Sequence, residues 1–442
     1  MLIILMLSAF FLGYLAITLE HSIKVNKSAV ALATGGVLWV LAAIYSPEGI
    51  EEALMHAGAE IFEITVFLLA AMSLVEVLVH YQFFDVLQSK IQKLNFQVKG
   101  QFLLIIAASF FLSAVIDNLT TTIVMLLMAK QFFKGKNLLV TAAGIVVAAN
   151  AGGAFSPLGD VTTIMLWLAD KFSTTEIILY GFLPSLVMIL SAGFLLYRQI
   201  DDKQTIQHKT EEIILAKSER IVVFLVFTSF ILALAMNSLD LPPYLGLLIG
   251  LGIIWIVTDV FKQLSERKTH MEVSLDKLIQ RTDLASLKFF IGILLAVSAL
   301  GYVGVLDVFG HLLYGAMPTF NRIVMGNVVL GMASAIFDNV PLTAMTIGIL
   351  PTTNSILWVL LAITVGVGGS FLVIGSAAGV IAMGSIKGLN FKTYFKMAFV
   401  PVLVGYFLAV ATWYGQLLVT GHNLEVNPTT GVEQAQIETH AP

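Results

Sequence analysis

The chain has 442 residues, of which 58% are hydrophobic and only 12% are charged, and its formal net charge is −4. A soluble domain carries about 25% charged residues, so this composition excludes an ordinary water-soluble protein and indicates one embedded in a lipid bilayer. Cysteine is absent, which excludes disulfides and Cys-ligated metal centres, and no basic stripe or phosphate-binding loop points to nucleic acid or ATP.

Apolar runs of about 20 residues, the length that spans a bilayer as a helix, recur along the whole sequence. The first run, 2–19, lacks a basic n-region and a small-residue cleavage pattern, so we interpret it as a retained span rather than a signal peptide. The further predicted spans are 28–45, 61–79, 138–169, 176–197, 220–237, 244–261, 287–305, 354–386 and 397–418. Two of them, 138–169 and 354–386, are interrupted by glycines.

Lysine and arginine in the loops indicate the orientation of the chain, because they accumulate on the cytoplasmic side. The basic loops 198–219 and 262–286 flank two spans and are predicted to be cytoplasmic. Lys24 and Lys27 place the first loop on the same side. The N-terminus is then external, and so is the tail 421–442, which contains no Lys or Arg.

The apolar segment 101–129 has basic residues at both ends, which are Lys90, Lys93, Lys99, Lys130, Lys134 and Lys136. The segment should therefore enter and leave the membrane on the cytoplasmic side, as a re-entrant hairpin. Its polar tip, 117–122, would lie deep in the bilayer, where irregular backbone is tolerated only against protein or water.

Three pairs of similar segments recur in the same order, at offsets between 216 and 226 residues. They are LLAAMSLVEVL (68–78) and LLAVSALGYVG (294–304), SAVIDNLTTT (113–122) and SAIFDNVPLT (334–343), and NAGGAFSPLGDVTT (150–163) and VGGSFLVIGSAAG (367–379). A common order and offset indicate duplication. An odd number of full crossings in each half would place the second half upside down, with its hairpin entering from outside.

The predicted fold is an all-α polytopic membrane protein with two inverted-topology repeats and about 10–11 spans plus two hairpins. Its parts are a first repeat 1–200 with hairpin 101–129 and broken helix 138–169, a cytoplasmic linker 201–219, a second repeat 220–420 with hairpin 323–350 and broken helix 354–386, and an external tail 421–442. This architecture is typical of secondary transporters, whose site lies where the repeats meet.

Carboxylates within apolar segments are the strongest candidates for function, since each is costly in the bilayer unless it is paired, protonated or hydrated. They are Glu63, Glu76, Asp117, Asp160 and Asp338. No Lys or Arg is predicted at the same depth, so the site should attract cations. Asp117 and Asp338 could instead only cap helices, although a neutral Asn or Ser would do so at a lower desolvation cost.

The neighbours of these carboxylates supply the oxygen ligands that Na⁺ prefers. The predicted Na⁺ ligands are Asp117, Asn118, Asp160, Asp338 and Asn339, with further oxygens from Thr120, Thr162, Thr343, Ser370 and Ser376. Asp160 is matched by Ser376 in the other half, so the two halves differ in charge. The glycines at both breaks could turn carbonyls toward an ion or could simply pack helices closely.

Glu63 and Glu76 are about 20 Å apart along one helix, so they cannot both join one site directly. We predict Glu63 to be a proton relay, whereas Glu76 lies close to the membrane boundary and His80.

The motifs SAVIDNLTTT, NAGGAFSPLGDVTT and SAIFDNVPLT resemble those of the NhaD-type sodium/proton antiporters of the ion transporter superfamily, and the similarity covers nearly the whole chain. The resemblance implies a bacterial inner-membrane protein that exchanges Na⁺, and often Li⁺, for protons. It also implies a homodimer with a scaffold domain and an elevator-type transport domain. The family's motif positions correspond to Ser113, Asp117, Asn118, Thr120, Ser334, Asp338, Asn339, Thr343, Asp160, Thr162 and Glu63.

The sequence therefore predicts an antiporter in which Na⁺ and H⁺ compete for shared carboxylates, with no cofactor beyond the transported ions. The alternative is a sodium-coupled carrier of a dicarboxylate or other organic anion, which half-helix N-termini could bind. No metal-binding His pair or nucleophile motif suggests an enzyme. Broken helices in two inverted halves also suit alternating access better than a channel.

Overall fold

The computed structural model describes residues 2–94, 96–202, 214–264, 275–315, 318–422 and 425–426, and every regular element in these ranges is an α-helix. The predicted all-α class is confirmed. The helices are α1 (Leu2–Thr18), α2 (Glu20–Ile23), α3 (Lys27–Tyr45), α4 (Ile50–His80), α5 (Phe83–Lys93), α6 (Val98–Ser113), α7 (Asn118–Phe132), α8 (Gly135–Gly153), α9 (Val161–Leu168), α10 (Thr174–Tyr197), α11 (Lys217–Asn237), α12 (Tyr244–Leu264), α13 (Leu275–Ile279), α14 (Leu284–Tyr302), α15 (Val305–Tyr314), α16 (Phe320–Ala333), α17 (Asn339–Ile349), α18 (Ser355–Gly368), α19 (Ala377–Ser385) and α20 (Phe391–Thr420). Most of the predicted linker 201–219 and of the tail 421–442 lies outside the described residues.

Seven helices within the described ranges are long and apolar enough to cross a membrane, namely α3, α4, α10, α11, α12, α14 and α20. Shorter apolar helices accompany them, namely α1, α6, α15, α16, α17 and α18. The short ones include the segments predicted as hairpins and as parts of broken spans. A protein with this set of helices is a multi-pass membrane protein.

Helix α4 begins at Ile50 and contains the predicted span 61–79, so the helix starts 11 residues before the predicted span. Gly49 precedes it with a left-handed backbone (φ 76°), and Glu51 and Glu52 occupy its first turn. Negative side chains there are favourable beside the positive end of the helix dipole. The helix therefore begins before the apolar stretch from which the span was predicted.

Helices α8 and α18 form the centre of the protein. Every residue of α8 from Val140 to Gly153 is buried, and so is every residue of α18 from Ile356 to Gly368. A helix that is apolar on all sides is expected in an interior. Around them, α3 packs against α14, α10 against α20, and α11 against α12.

The four segments with polar interruptions lie together. The chain breaks between α6 and α7, between α8 and α9, between α16 and α17, and between α18 and α19. The packing crosses between the halves, because α7 contacts α19 and α17 contacts α9. The ends of both hairpin-like pairs are thereby brought against both breaks.

The two halves use the same close approaches at equivalent positions. A Cβ added at Gly152 of α8 would overlap the carbonyl oxygen of Phe110, and one at Gly368 of α18 would overlap that of Gly331. Only glycine allows the helices to approach this closely. The sequence pairing of the two halves therefore corresponds to shared backbone contacts, whereas their opposite orientation in the membrane remains a prediction.

Candidate functional site

A cavity of about 70 Å³ lies where the helix breaks of the two halves meet. Its polar wall is formed by six of the predicted site residues, Asp117, Asn118, Asp160, Asp338, Asn339 and Ser376. Apolar side chains also line it, among them the α4 residues Phe67, Leu68, Ala71, Met72 and Val75. The space holds a few water-sized groups, and its polar lining is mainly oxygen donors and acceptors.

Asp117 and Asp338 are the N-caps of α7 and α17. Asp117 accepts hydrogen bonds from the Thr120 backbone N–H at 2.8 Å and from the Thr120 hydroxyl at 2.7 Å. Asp338 accepts one from the backbone N–H of Val340 at 3.2 Å. Both aspartates therefore cap helices, as the simpler alternative predicts. Because both also line the cavity, capping accounts for only part of their surroundings.

The two hairpin ends are held differently. The hydroxyl oxygen of Tyr14 in α1 accepts the backbone N–H of Asp338 at 3.0 Å. On the first-half side, the backbone N–H of Asn118 donates to the carbonyl oxygen of Gly159 at 3.1 Å. Tyr14 is not among the predicted site residues, since a tyrosine in an apolar first span has no motif that would distinguish it.

Asp160 is the N-cap of α9 and only 4% exposed. Its backbone N–H donates to the Thr163 hydroxyl at 3.3 Å, but its Oδ2 has no hydrogen-bond partner among the described residues, and neither has the hydroxyl of Thr162. A buried polar atom without a partner in a native structure is a place where water or an ion is expected. These oxygens fit Na⁺ by their chemistry.

Asn150 joins the two halves and was not predicted. It is fully buried in α8, and its Oδ1 accepts the side-chain N–H of Asn118 at 3.1 Å. Its Nδ2 donates to the hydroxyls of Ser370 at 2.9 Å and Ser376 at 3.0 Å. The available sequence signal was an amide at the start of the glycine-rich motif, inside a helix with no other polar side chain nearby.

The serines of the hairpin motifs are buried at the helix ends, away from the cavity wall. Ser113 donates to the carbonyl oxygen of Ala149 at 2.6 Å, and Ser334 donates to that of Val365 at 3.0 Å. Ser334 also contacts the side-chain oxygen of Asn339. These contacts tie each hairpin end to the central helix of the same half.

Several other predicted residues lie outside the cavity lining. Thr343 donates its hydroxyl to the backbone oxygen of Asn339 at 2.8 Å, which leaves it as part of the helix. Glu63 is half-buried on α4, and its carboxylate interacts electrostatically with those of Asp170 and Glu60. The other residues that the structure places outside the lining are Ser113, Thr120, Thr162, Ser334 and Ser370.

Lys27, at the start of α3, lines the same cavity as the three aspartates. A basic residue therefore shares the cavity with the three aspartates, which was not expected from the sequence. The Lys27 ammonium lies 4.8 Å from the centre of the Phe289 ring of α14, a cation–π distance. Sequence alone placed Lys27 in a loop, because the packing of α3 on α14 could not be predicted.

The three aspartates line one cavity without converging on one point. Within the described part of the chain, no three acidic, histidine or cysteine side chains are grouped closely enough to hold a metal ion together. An ion in this arrangement would combine one carboxylate with amide, hydroxyl and carbonyl oxygens. Such a mixed set suits a weakly held monovalent cation better than a divalent one, which needs more negative charge.

Comparison with known proteins relates this chain to transporters. Residues 14–366 match a family model described as citrate transporter. "Sodium/proton antiporter 1" of Arabidopsis thaliana is 34% identical over 96% of this chain and 73% of its own length. "Sodium/proton antiporter 2" of the same plant is 35% identical over 91% of this chain and 97% of its own length.

A bacterial relative is similar over the same extent. The "Na(+)/H(+) antiporter NhaD" of Alkalimonas amylolytica is 31% identical over 92% of this chain and 89% of its own length. The aligned regions include the helix breaks and the cavity between them.

Proposed function

Because the chain belongs to the NhaD-type sodium/proton antiporters and to the citrate-transporter family, we propose that it exchanges Na⁺ for H⁺ at the cavity between its helix breaks. The observation that carries this proposal is the unpartnered Oδ2 of the buried Asp160, in a cavity that Asp117 and Asp338 also line. A carboxylate in such a place binds either a cation or a proton.

Exchange then follows from competition for the same oxygens. Burial disfavours the charged form of a carboxylate, so Asp160 is stable only when it carries a proton or faces a cation. Release of one permits binding of the other. Asn118, Asn339 and Ser376 would complete the coordination with neutral oxygens, since they line the same cavity.

Transport also needs the site to open to each side in turn. We propose alternating access in which α6, α7, α16 and α17 move with the two broken helices against α3, α4 and α14, as in an elevator. The contacts between α7 and α19 and between α17 and α9 favour this unit moving as one body. We also propose that the protein transports Li⁺, forms a homodimer and lies in a bacterial inner membrane with both termini outside.

The second candidate is a sodium-coupled organic-anion carrier, favoured by the description of the matching family and by Lys27 at the cavity. Three aspartates along the same wall count against it, because they repel an anionic substrate in a medium of low dielectric constant. The excess of acidic over basic groups therefore favours the cation exchanger.

Everted membrane vesicles from an antiporter-deficient strain provide the test. Respiration acidifies the lumen, and a pH-sensitive dye then reports alkalinisation after addition of Na⁺, Li⁺, K⁺ or choline. We expect a response to Na⁺ and Li⁺ and none to choline. Absence of any response between about pH 7 and 9.5, together with sodium-dependent uptake of labelled citrate or succinate, would favour the anion carrier.

The same assay tests the hairpin aspartates. We expect Asp117→Asn and Asp338→Asn each to abolish exchange, because each removes a negative charge from the cavity, while Asn retains the capping ability of Asp. Membrane insertion should be unchanged, which immunoblotting of the vesicles would check. Normal exchange with unchanged Na⁺ dependence in both variants would contradict the assignment.

A further inference from the structure

Lys27 is the feature of the cavity that cation exchange does not explain. Its side chain is half-buried and lines the cavity together with three aspartates. No described residue forms a salt bridge with its ammonium, which lies over the Phe289 ring instead. Lys27 therefore shares the cavity with carboxylates while its ammonium contacts an aromatic ring.

Two acidic side chains near Lys27 in the described part of the chain are engaged at helix starts. The carboxylate of Glu20 accepts the backbone N–H of Lys27 at 3.1 Å. The carboxylate of Asp283 caps α14 by accepting the N–H groups of Ala285 and Ser286, each at 3.1 Å. Neither carboxylate forms a salt bridge with the Lys27 ammonium.

We propose that Lys27 is a tethered cation that competes with the transported ion for the cavity. In this conformation it thereby weakens Na⁺ binding and speeds the release of Na⁺ from the cavity. Phe289 limits this competition, because its ring is a second partner for the ammonium. The inference rests on the proposed Na⁺/H⁺ exchange. It assigns a role in affinity to a residue that contacts the cavity from outside the polar motifs.

Removal of the charge tests the proposal in proteoliposomes. We expect Lys27→Gln to lower the apparent KM for Na⁺ by about threefold to tenfold, since a unit charge in the lining of a partly hydrated site acts on this scale. Lys27→Arg should stay within about twofold of the wild type. Lys24→Gln is the matched control, because Lys24 is exposed, lies outside the cavity lining and should leave the KM unchanged.

A second variant predicts the opposite sign. Phe289→Leu removes the ring, which frees the ammonium to approach the aspartates and should raise the KM for Na⁺. In the double variant with Lys27→Gln this increase should disappear, which is the coupling that a double-mutant cycle measures. A merely structural role for Lys27 would instead weaken Na⁺ binding or lower the amount of folded protein.

An unchanged or raised KM in Lys27→Gln, with a normal yield of monodisperse protein, would overturn the inference. Direct binding of ²²Na⁺ to the purified protein separates this failure from that of the proposed function. If the wild type binds Na⁺ and Lys27→Gln binds it more tightly, the inference stands even where no proton exchange is measured. A wild type that binds no Na⁺ would contradict both proposals.

Discussion

The two broken helices share their backbone contacts but present different groups to the cavity. In the first half α9 begins after Asp160, whereas in the second half α19 begins after Ser376, and both residues are N-caps. The Ser376 hydroxyl accepts the backbone N–H of Gly379 at 3.2 Å. The Oδ2 of Asp160 has no such partner in the described chain.

A second difference lies one helix earlier. At the offset that pairs Asp160 with Ser376, Asn150 of α8 is paired with Gly366 of α18. The amide of Asn150 reaches across to the second half, while Gly366 has no side chain that would contact the Oδ2 of Asp160. The duplicated backbone therefore builds one asymmetric site, to which the first half contributes the buried carboxyl group and the amide and the second half contributes the hydroxyls.

Between the two broken helices, the larger effect is expected when the buried charge is removed. Asp160→Asn should lower the Na⁺-dependent exchange rate by on the order of 100-fold or more, because a cation in a site of low dielectric constant loses a buried carboxylate. Ser376→Ala should cost only about fivefold, the equivalent of about 1 kcal/mol for a lost helix cap. Dye dequenching in proteoliposomes measures both.

Asp240→Asn is the control for this pair. Asp240 is exposed and adopts a left-handed backbone (φ 56°), which Asn also tolerates. The variant should exchange Na⁺ at the wild-type rate. Equal losses in Asp160→Asn and Ser376→Ala would show that the two halves contribute symmetrically and would contradict the asymmetry.

A smaller effect is expected for the side-chain amide of Asn150, which joins the two halves. Asn150→Ala removes three buried hydrogen bonds and leaves their partners unsatisfied, at about 1 kcal/mol or more each. We expect the KM for Na⁺ to rise about tenfold and the melting temperature to fall. Fluorimetric unfolding and exchange assays on the same preparation would measure the two effects.

Asn137→Ala is a matched substitution on the same helix. Asn137 exchanges two hydrogen bonds with the backbone of Asp201, at 2.8 and 2.9 Å, and does not line the cavity. It should lower the melting temperature but leave the KM for Na⁺ unchanged. If both variants raise the KM equally, the hydrogen bonds of Asn150 affect Na⁺ binding only through the stability of the folded protein.

The smallest effect is expected for Gly366, which lies next to Asp160. A Cβ in Gly366→Ala would lie 3.6 Å from the Oδ2 of Asp160 and 3.2 Å from the Cβ of Ala154. The added methyl narrows the approach to the carboxylate, so the KM should rise about threefold for Na⁺ and less for the smaller Li⁺, a loss within the range for a slightly overpacked site.

The KM ratio of Na⁺ to Li⁺ measures this effect independently of protein yield. Gly36→Ala on α3 is the control, since nothing lies within 4 Å of its added Cβ. An unchanged ratio in Gly366→Ala would mean that the ion does not approach Asp160 from the α18 side.

The class of the protein and the residues of its polar motifs were predictable from the sequence. A composition with 12% charged residues cannot cover a soluble surface, and polar residues recurring at one offset within apolar segments indicate duplicated membrane elements. Six of the predicted residues indeed line one cavity. The residue types alone were sufficient for this prediction, because a carboxylate within a membrane segment is costly unless it is paired, protonated or hydrated.

Other features depended on which helices pack together. The start of α4 at Ile50 was not visible because a helix can extend past its apolar stretch. Asn150, Tyr14 and Lys27 were missed because each has its role through a partner far away in sequence: a serine pair on the second half, the backbone of Asp338, and the ring of Phe289.

The sequence by itself thus determined that the protein is helical, lies in a membrane and carries acidic residues within its apolar segments. Only the tertiary structure decided how these residues meet: that the halves cross at their breaks, that Asp160 keeps one oxygen unpartnered, and that Lys27 shares the cavity. The physical reason is that the free-energy cost of burying a side chain depends on its residue type and its neighbours in the sequence. The contacts that the side chain makes depend on which distant segments pack against it.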